Sequence, residues 1–229
     1  MTKKFWMIFV CSLGQNVSVR ELSAEMCRDE EVAKALADMI KASQNICRVH
    51  LGSDSRSMLA AFIQRLSVTI TDNYTLTRVT VEDIQRILEE AWFAIRSVAA
   101  RNSSLVTRAA QYVSGAACDR YRAQALERVS LSPSLMEEVA EVTFISSSEI
   151  VSRVREGLKC FEELHDFMRL CGVVEEKVTC HPRKDGRTQL DQLNADCWRH
   201  IRRYLLVEDI KMPTQSANTG FCSSVQCSR

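Results

Sequence analysis

The sequence predicts an all-α fold, a bundle of six or seven helices with a disulfide-stapled C-terminal part. Glycine and proline, which interrupt helices, number only 7 and 3 among the 229 residues. Apolar residues recur at spacings of three and four, the helical period, and no segment shows sustained strand alternation. With 46% hydrophobic residues, the chain can bury one good core or two small ones.

Residues 1–14 have the pattern of a short export signal. Two lysines precede the apolar run 5–10, and the small residues Ser12 and Gly14 suit a signal peptidase. The pattern predicts cleavage after Gly14, so that residues 15–212 form the bundle. The alternative is a buried N-terminal element of the fold. The run is too short for a transmembrane span.

Helices in the first half are predicted from capping residues and helix breakers. Ser18, with Glu21 three residues later, forms a capping box that opens the first helix. Thr80, with Asp83 three residues later, opens the third helix after a polar loop. The four predicted helices run from Ser18 to Gly52 with a break at 28–29, from the 53–55 cluster to Ile70, from Thr80 to Val98, and from 105 to about 116.

The second half is predicted in the same way. Ser132 and Pro133 are an N-cap and a first helical residue, and Gly172 is a helix stop. The predicted helices span 135–144, 146–172 and 190–210, with a turn-rich connection at 173–187 and a possible sub-boundary near 131–147. The tail, 213–229, is polar and carries two cysteines, so it is expected to be loose unless bridged.

Nine cysteines outside the signal are disulfide candidates. An odd number in an exported protein implies one free thiol or one intermolecular bridge. Cys160 and Cys171 are eleven residues apart, which places both on one side of a single helix, with Cys197 opposite on the last helix. Buried free thiols, or reduced cytosolic thiols, are the alternatives. The candidates are Cys27, Cys47, Cys118, Cys160, Cys171, Cys180, Cys197, Cys222 and Cys227.

Three Asn-x-Ser/Thr triplets are candidate N-glycosylation sites, at Asn16, Asn73 and Asn102. Each falls at a predicted loop or helix start, where an oligosaccharide has room. The triplets therefore add weight to export.

A basic cluster on the last predicted helix is a candidate contact for an anionic partner, such as a sulfated glycan or an acidic protein. It consists of Arg199, His200, Arg202 and Arg203, and the alternative is an ordinary solvated face. Over the whole chain, 30 basic and 29 acidic residues give a net charge of +1, so there is no general electrostatic case for nucleic acid.

Motifs of known active sites are not found in the sequence. It has no glycine-rich phosphate loop, no zinc-protease HExxH and no nucleophile elbow. Cys180, His181, Cys197 and His200 do not match a zinc spacing, and disulfides account for the cysteines more simply. The sequence therefore predicts no catalytic residue, metal or cofactor.

Within residues 58–117, a helix is followed by a polar loop containing Leu76 and Thr77, a second helix with Trp92, and the run 104–111. This order resembles the helical units of spider silk proteins of the egg-case and wrapping types. Those domains are helical bundles that store and assemble into fibre. The resemblance implies a structural, secreted role.

The functional prediction is a secreted, extracellular, non-enzymatic helical protein that acts by protein contact or assembly. Its partners are expected to be other proteins, or a second copy joined through an unpaired cysteine. Two alternatives stay open: a helical cytokine-like or hormone-like signalling ligand, and a carrier whose bundle encloses a small apolar ligand.

Overall fold

The computed structural model describes residues 3–26, 28–82, 89–181 and 187–211. In these ranges the chain is mostly helical, as predicted, but it has nine α-helices rather than six or seven, and three short strands. The helices are α1 (Lys3–Gln15), α2 (Glu30–Ala42), α3 (Arg56–Ser67), α4 (Glu89–Val113), α5 (Arg120–Ser130), α6 (Pro133–Thr143), α7 (Ser147–Lys159), α8 (Leu164–Leu170) and α9 (Ala195–Arg202). The strands are β1 (Glu21–Glu25), β2 (Arg48–Gly52) and β3 (Arg78–Val81).

The three strands form one parallel sheet in the order β1-β2-β3. Glu21 pairs with Arg48, and Arg48 pairs with Arg78, so equivalent positions lie 27 and 30 residues apart. Helix α2 connects β1 to β2, α3 connects β2 to β3, and the two helices pack against each other. Successive strand-helix units thus lie side by side, which is the arrangement of a β/α solenoid.

The prediction of helix from Ser18 to Gly52 is wrong at both ends, where β1 and β2 form. Along β1, Leu22 is buried between the exposed residues Glu21 and Ser23, and in β2 the buried Val49 lies between the half-buried Arg48 and the exposed His50. Each strand has only five residues, which is too short for alternation to stand out against helical spacing. Helix α2 itself is confirmed, and Asp29 caps it by accepting from the backbone N–H groups of Glu31 and Val32.

Helix α4 is continuous where two helices were predicted. The sequence predicts a break at the polar residues 102–104, but the helix continues through them. In the structure Asn102 is fully buried, and its side-chain nitrogen donates to the backbone carbonyl oxygens of Asn73 at 3.1 Å and Leu76 at 2.9 Å. The side chain of Asn102 therefore holds the loop at 73–76 against the middle of α4.

Two hydrophobic cores meet within α4. Ile95 and Val98 belong to the N-terminal core, which also takes residues from α1, α2, α3 and the sheet. Leu105 and Val106 belong to the C-terminal core, formed with α5 to α9. The boundary between the two cores therefore lies inside α4. The predicted loose tail, 213–229, is outside the described residues.

The helix predicted over 146–172 is two helices, α7 and α8. Gly172 has a φ of 73°, so the predicted helix stop is confirmed. The interruption leaves Cys160 exposed and Cys171 fully buried. The prediction that both sulfurs lie on one side of a single helix is therefore wrong.

The last predicted helix is shorter than expected, since only α9 is α-helical within 190–210. Trp198 is its buried residue, and the indole Nε1 donates to the backbone carbonyl oxygen of Glu162 at 2.8 Å. Cys197, expected on the core side, is exposed, and so is Ile201. The inward face is displaced because Trp198 buries more apolar surface than Cys197 does.

Helix α1 contains most of the predicted signal and lies against α2. Val10 is buried, and Phe9 and Leu13 are partly buried against the N-terminal core. Lys3 forms an ion pair with Asp29 at 3.4 Å. The described chain thus uses this segment as an element of the fold, and its cleavage stays a prediction.

Candidate protein-contact surface

The sheet has one face covered by helices and one face open to solvent. Leu22, Val49 and Leu51 point into the N-terminal core beneath α2 and α3. Parallel sheets are ordinarily covered on both faces, whereas solenoids leave one open and use it for binding. We call the seven polar residues of the open side the strand face: Glu21, Ser23, Glu25, Arg48, His50, Arg78 and Thr80.

Pairing between strands arranges the strand face in rows. In the first row, Glu21, Arg48 and Arg78 are partners, and the Nε atom of Arg48 lies 3.3 Å from Oε2 of Glu21. In the second row, Nδ1 of His50 lies 2.8 Å from Oγ1 of Thr80. The Nε2 atom of His50 also lies 3.5 Å from the carboxylate of Glu82, just beyond β3.

The third row has a gap. Glu25 pairs with Gly52, which has no side chain, and the carboxylate of Glu25 occupies the space that a Cβ at Gly52 would need. Glu25 and Glu82 make this end of the face acidic, while Arg78 at the other end is exposed and has no ion pair within the described ranges. The face is therefore polar and carries opposite charges at its two ends.

A cluster of arginines and glutamates joins the first row to α6. Arg20 lies 2.7 Å from Glu137 and 3.0 Å from Glu138, and it also hydrogen-bonds to Glu141. Arg48 reaches the same helix, with 2.9 Å from Nη1 to Oε2 of Glu141. We call these five residues the Arg–Glu cluster. It fixes the open face of the sheet relative to the C-terminal core.

Two carboxylates of the Arg–Glu cluster have shifted pKa values, in opposite directions. Burial raises the pKa of Glu138, although Arg48 and Arg20 oppose the shift. The hydrogen bond from Arg20 lowers the pKa of Glu141, and Arg48 adds to that effect. Both carboxylates are held by Arg20 and Arg48 where the sheet meets α6, so the cluster is best understood as a structural joint.

No family model, curated protein or solved structure matches this chain.

The seven cysteines in the described residues are all unpaired, so no disulfide staples this part of the C-terminal region. Burial raises the pKa of Cys47 to about 12 and that of Cys118 to about 11, which keeps both as unreactive thiols. Cys180 is partly buried, and Cys11, Cys160 and Cys197 are exposed. The candidates Cys27, Cys222 and Cys227 lie outside the described residues.

Two of the three glycosylation candidates are in the interior. Asn73 and Asn102 are 6% and 0% exposed. Their amide nitrogens, which would carry the glycan, donate to backbone carbonyl oxygens. The folded chain has no room for a glycan at Asn73 or Asn102, which corrects the prediction of glycosylation at these two positions. Asn16 is exposed, with its Oδ1 accepting from the backbone N–H of Ser18 at 2.8 Å.

The predicted basic patch is not assembled on one surface. Arg202 points inward, 14% exposed, where it pairs with Glu127. Arg199 is exposed but already lies 2.9 Å from Asp196. Only His200 and Arg203 remain exposed without an ion pair in the described part of the chain. A binding site for an anion that needs all four residues is therefore not formed.

The described ranges contain neither a metal-binding cluster nor a membrane-spanning helix. No group of three or more candidate metal ligands occurs there, including at Cys180, His181, Cys197 and His200. None of the helices described is both long enough and apolar enough to cross a membrane.

Sequence reasoning missed the strand face, although the chain carries a signal for it. The segments 46–51 and 76–81 both place arginine two residues after a large aliphatic residue, and valine directly after that arginine. Leu22, Val49 and Val79 are partners in neighbouring strands at spacings of 27 and 30 residues. An internal repeat of this period is typical of a β/α solenoid.

Proposed function

We propose that this chain is a secreted, non-enzymatic protein that acts by binding another protein through the strand face. The observation that carries the proposal is the open polar side of an all-parallel sheet, with Arg78 at one end and Glu25 at the other. Leaving a parallel sheet uncovered on one side is typical of proteins that use that side for recognition.

Charge defines the kind of partner. Glu25 and Glu82 favour a basic side chain opposite the third row, and Arg78 favours a carboxylate opposite the first row. Arg48 is already paired with Glu21, so it adds little net charge. The partner is therefore a protein surface that presents an acidic group opposite the start of the strands and a basic group opposite their end.

Export is supported by the N-terminal pattern of residues 1–14 and by the exposed acceptor Asn16. It is tested by expressing the full chain in animal cells. The mature protein is expected in the medium, beginning at Gln15. An intact N-terminus on protein retained in the cytosol would overturn export and leave recognition by the strand face intact.

Recognition is tested with a photo-reactive amino acid at Thr80, in the centre of the strand face. The matched control carries it at Arg96, which is exposed on α4. The photo-reactive protein is mixed with extracellular proteins from the organism that makes it, and cross-linked products are then identified. A cross-link at position 80 that disappears in Arg78→Glu supports the proposal. Equal cross-linking from both positions, or a cross-link that Arg78→Glu leaves unchanged, would overturn it.

A second candidate function is covalent assembly, and the exposed thiols of Cys160 and Cys197 favour it. The silk-like structural role is a form of this candidate. A non-reducing gel of the exported protein tests it, because dimers or ladders that reductant removes are expected. A single monomeric band under both conditions would contradict it.

A further inference from the structure

Two thiols and one tyrosine hydroxyl lie together where α7 packs against the end of α4. A Cβ at Gly157 of α7 would lie 2.9 Å from Cζ of Tyr112, the ring carbon that carries the hydroxyl. Cys160 follows about one turn after Gly157, and its Sγ lies 3.5 Å from the backbone carbonyl oxygen of Glu156. The thiol of Cys160 is thus turned back toward Tyr112, and the two side chains share a hydrogen bond.

Cys118, in the link between α4 and α5, belongs to the same cluster. Its half-buried side chain packs against the C-terminal core, as that of Tyr112 does. Burial raises the pKa of Cys118 most, and the nearby thiol of Cys160 is the next largest cause. Burial also raises the pKa of Tyr112, followed by the effects of Cys160 and Cys118. Charge effects of this kind decrease with distance, so the three side chains are neighbours.

We propose that Cys118 and Cys160 are a redox-active pair, which closes to an intramolecular disulfide when the chain meets a small disulfide oxidant such as oxidised glutathione. The bond joins the start of α5 to the end of α7, and it therefore encloses α5, α6 and α7 in one loop. It also withdraws Cys160 from bonds between copies of the chain. The proposal goes beyond recognition by the strand face and does not depend on it.

The two thiols differ in access, and this sets the order of the reaction. Cys160 is exposed, so its thiolate attacks a sulfur of oxidised glutathione, forms a mixed disulfide and releases one glutathione. The thiolate of Cys118 then attacks Sγ of Cys160 and releases the second glutathione. Two protein thiols thus lose two protons and two electrons, and one oxidised glutathione is reduced to two glutathione thiols. The mixed disulfide leaves Cys160 uncharged, which removes one cause of the raised pKa of Cys118.

Mass spectrometry of peptides without reduction tests the proposal. The full chain is purified in reductant and equilibrated, while folded, with excess oxidised glutathione, and the remaining thiols are alkylated. Trypsin then places Cys118 in the peptide 109–120 and Cys160 in the peptide 160–169, and each peptide contains a single cysteine. These two peptides are expected to be found mainly as a linked pair, which reductant separates.

Cys160→Ser is expected to abolish the linked pair, and Cys118→Ser is expected to leave Cys160 as a mixed disulfide with glutathione. The matched control is Cys197→Ser, which removes another exposed thiol and should leave the link unchanged. Circular dichroism verifies that the variants are folded. A wild-type chain with glutathione on Cys160 and no link to Cys118 would overturn the proposal. A link from Cys160 to a different cysteine, or one that forms only in urea, would overturn it too.

The bond is also expected to change thermal stability. Because the closed loop restricts the unfolded chain, the oxidised protein is expected to melt about 5–15 °C above the reduced protein. Cys160→Ser should melt at the same temperature with and without oxidised glutathione. If the oxidised wild type melts no higher than the reduced protein, the fold must distort to accept the bond, and the proposal is wrong.

Discussion

The side-chain nitrogen of Asn102 lies 3.1 Å from the backbone carbonyl oxygen of Asn73, in the interior between α4 and the loop before β3. The side chain of Asn73 in turn accepts from the backbone N–H groups of Thr75 and Leu76, at 3.0 and 2.8 Å. The two asparagines therefore determine where β3 begins, and with it the position of Arg78 on the strand face.

Replacing Asn102 by alanine is expected to lower the free energy of unfolding by about 1–3 kcal/mol, because the carbonyl oxygen of Leu76 loses its side-chain donor and that of Asn73 keeps only Arg101. Urea denaturation of protein made in bacteria, which carries no glycan, measures the change. Ser103→Ala, exposed on the next position of α4, is the control and is expected to stay near the wild type. Equal stability of both variants would contradict the conclusion that Asn102 holds the loop against α4.

Arg202 and Arg203 are neighbours with opposite environments, which provides a matched pair. Arg202→Ala leaves the buried carboxylate of Glu127 without its guanidinium partner. We expect a loss of about 3–5 kcal/mol. Arg203→Ala removes an exposed charge and is expected to change stability by less than about 0.5 kcal/mol. Thermal unfolding distinguishes the two, and similar melting temperatures would show that Arg202 does not point inward.

At Gly157, α7 approaches its neighbours closely. A Cβ there would lie 2.7 Å from Cε1 of Tyr112 and 2.8 Å from Cδ1 of Leu126. Gly157→Ala is therefore expected to destabilise the fold by about 1–3 kcal/mol, despite the better helix propensity of alanine. Glu156→Ala, at the adjacent exposed position, is the control for propensity alone. A stabilised Gly157→Ala protein would refute this packing.

Thiol reactivity is expected to follow burial. Cys11, Cys160 and Cys197 are exposed and should be alkylated within minutes in the native protein. Cys47 is fully buried and burial raises its pKa to about 12, so it should react only after unfolding. Mass spectrometry of peptides after timed iodoacetamide treatment gives the order. Early labelling of Cys47 would indicate that the junction between sheet and α6 is open.

The Arg–Glu cluster predicts opposite pH effects for two neighbouring glutamates. The pKa of Glu141 lies below its ordinary value of 4.5, so its contribution to stability is present above that value and lost as the pH falls through the folded pKa. The pKa of Glu138 lies above 4.5, so its contribution is present below that value and lost as the pH rises through the folded pKa.

Urea denaturation between about pH 3.5 and 7 tests this pair. Glu141→Gln is expected to flatten the rise of stability with pH, and Glu138→Gln is expected to steepen it. Glu90→Gln, an exposed acid on α4, is the control and should follow the wild type. Changes of the same sign in both cluster variants would contradict the assignment.

Much of the helical structure could be predicted from the sequence. Ser132 caps α6 as expected, by accepting from the backbone N–H of Leu135, and α7 begins where predicted, with Ser146 accepting from the backbone N–H of Glu149. Helix α3 also follows the 53–55 cluster as predicted. These features depend on local spacing, which a single segment carries in full.

The sheet could not be found in this way, because its stability comes from pairing between segments 27 and 30 residues apart. A five-residue strand such as β2, with Val49 and Leu51 inward, also fits part of a helical pattern. Tertiary contacts likewise decided the interior positions of Asn102 and Arg202. The strand face could have been predicted only by comparing the chain with itself.

Helix α4 has 25 residues, which corresponds to a length of about 37 Å. Its first half is embedded among the helices that support the sheet, and its second half among α5 to α7. Heating should therefore unfold both cores in one transition, because the unfolding of either core would also unfold the helix that the two cores share. A ligand held at the sheet would then protect even the distant amides of α5 from hydrogen exchange.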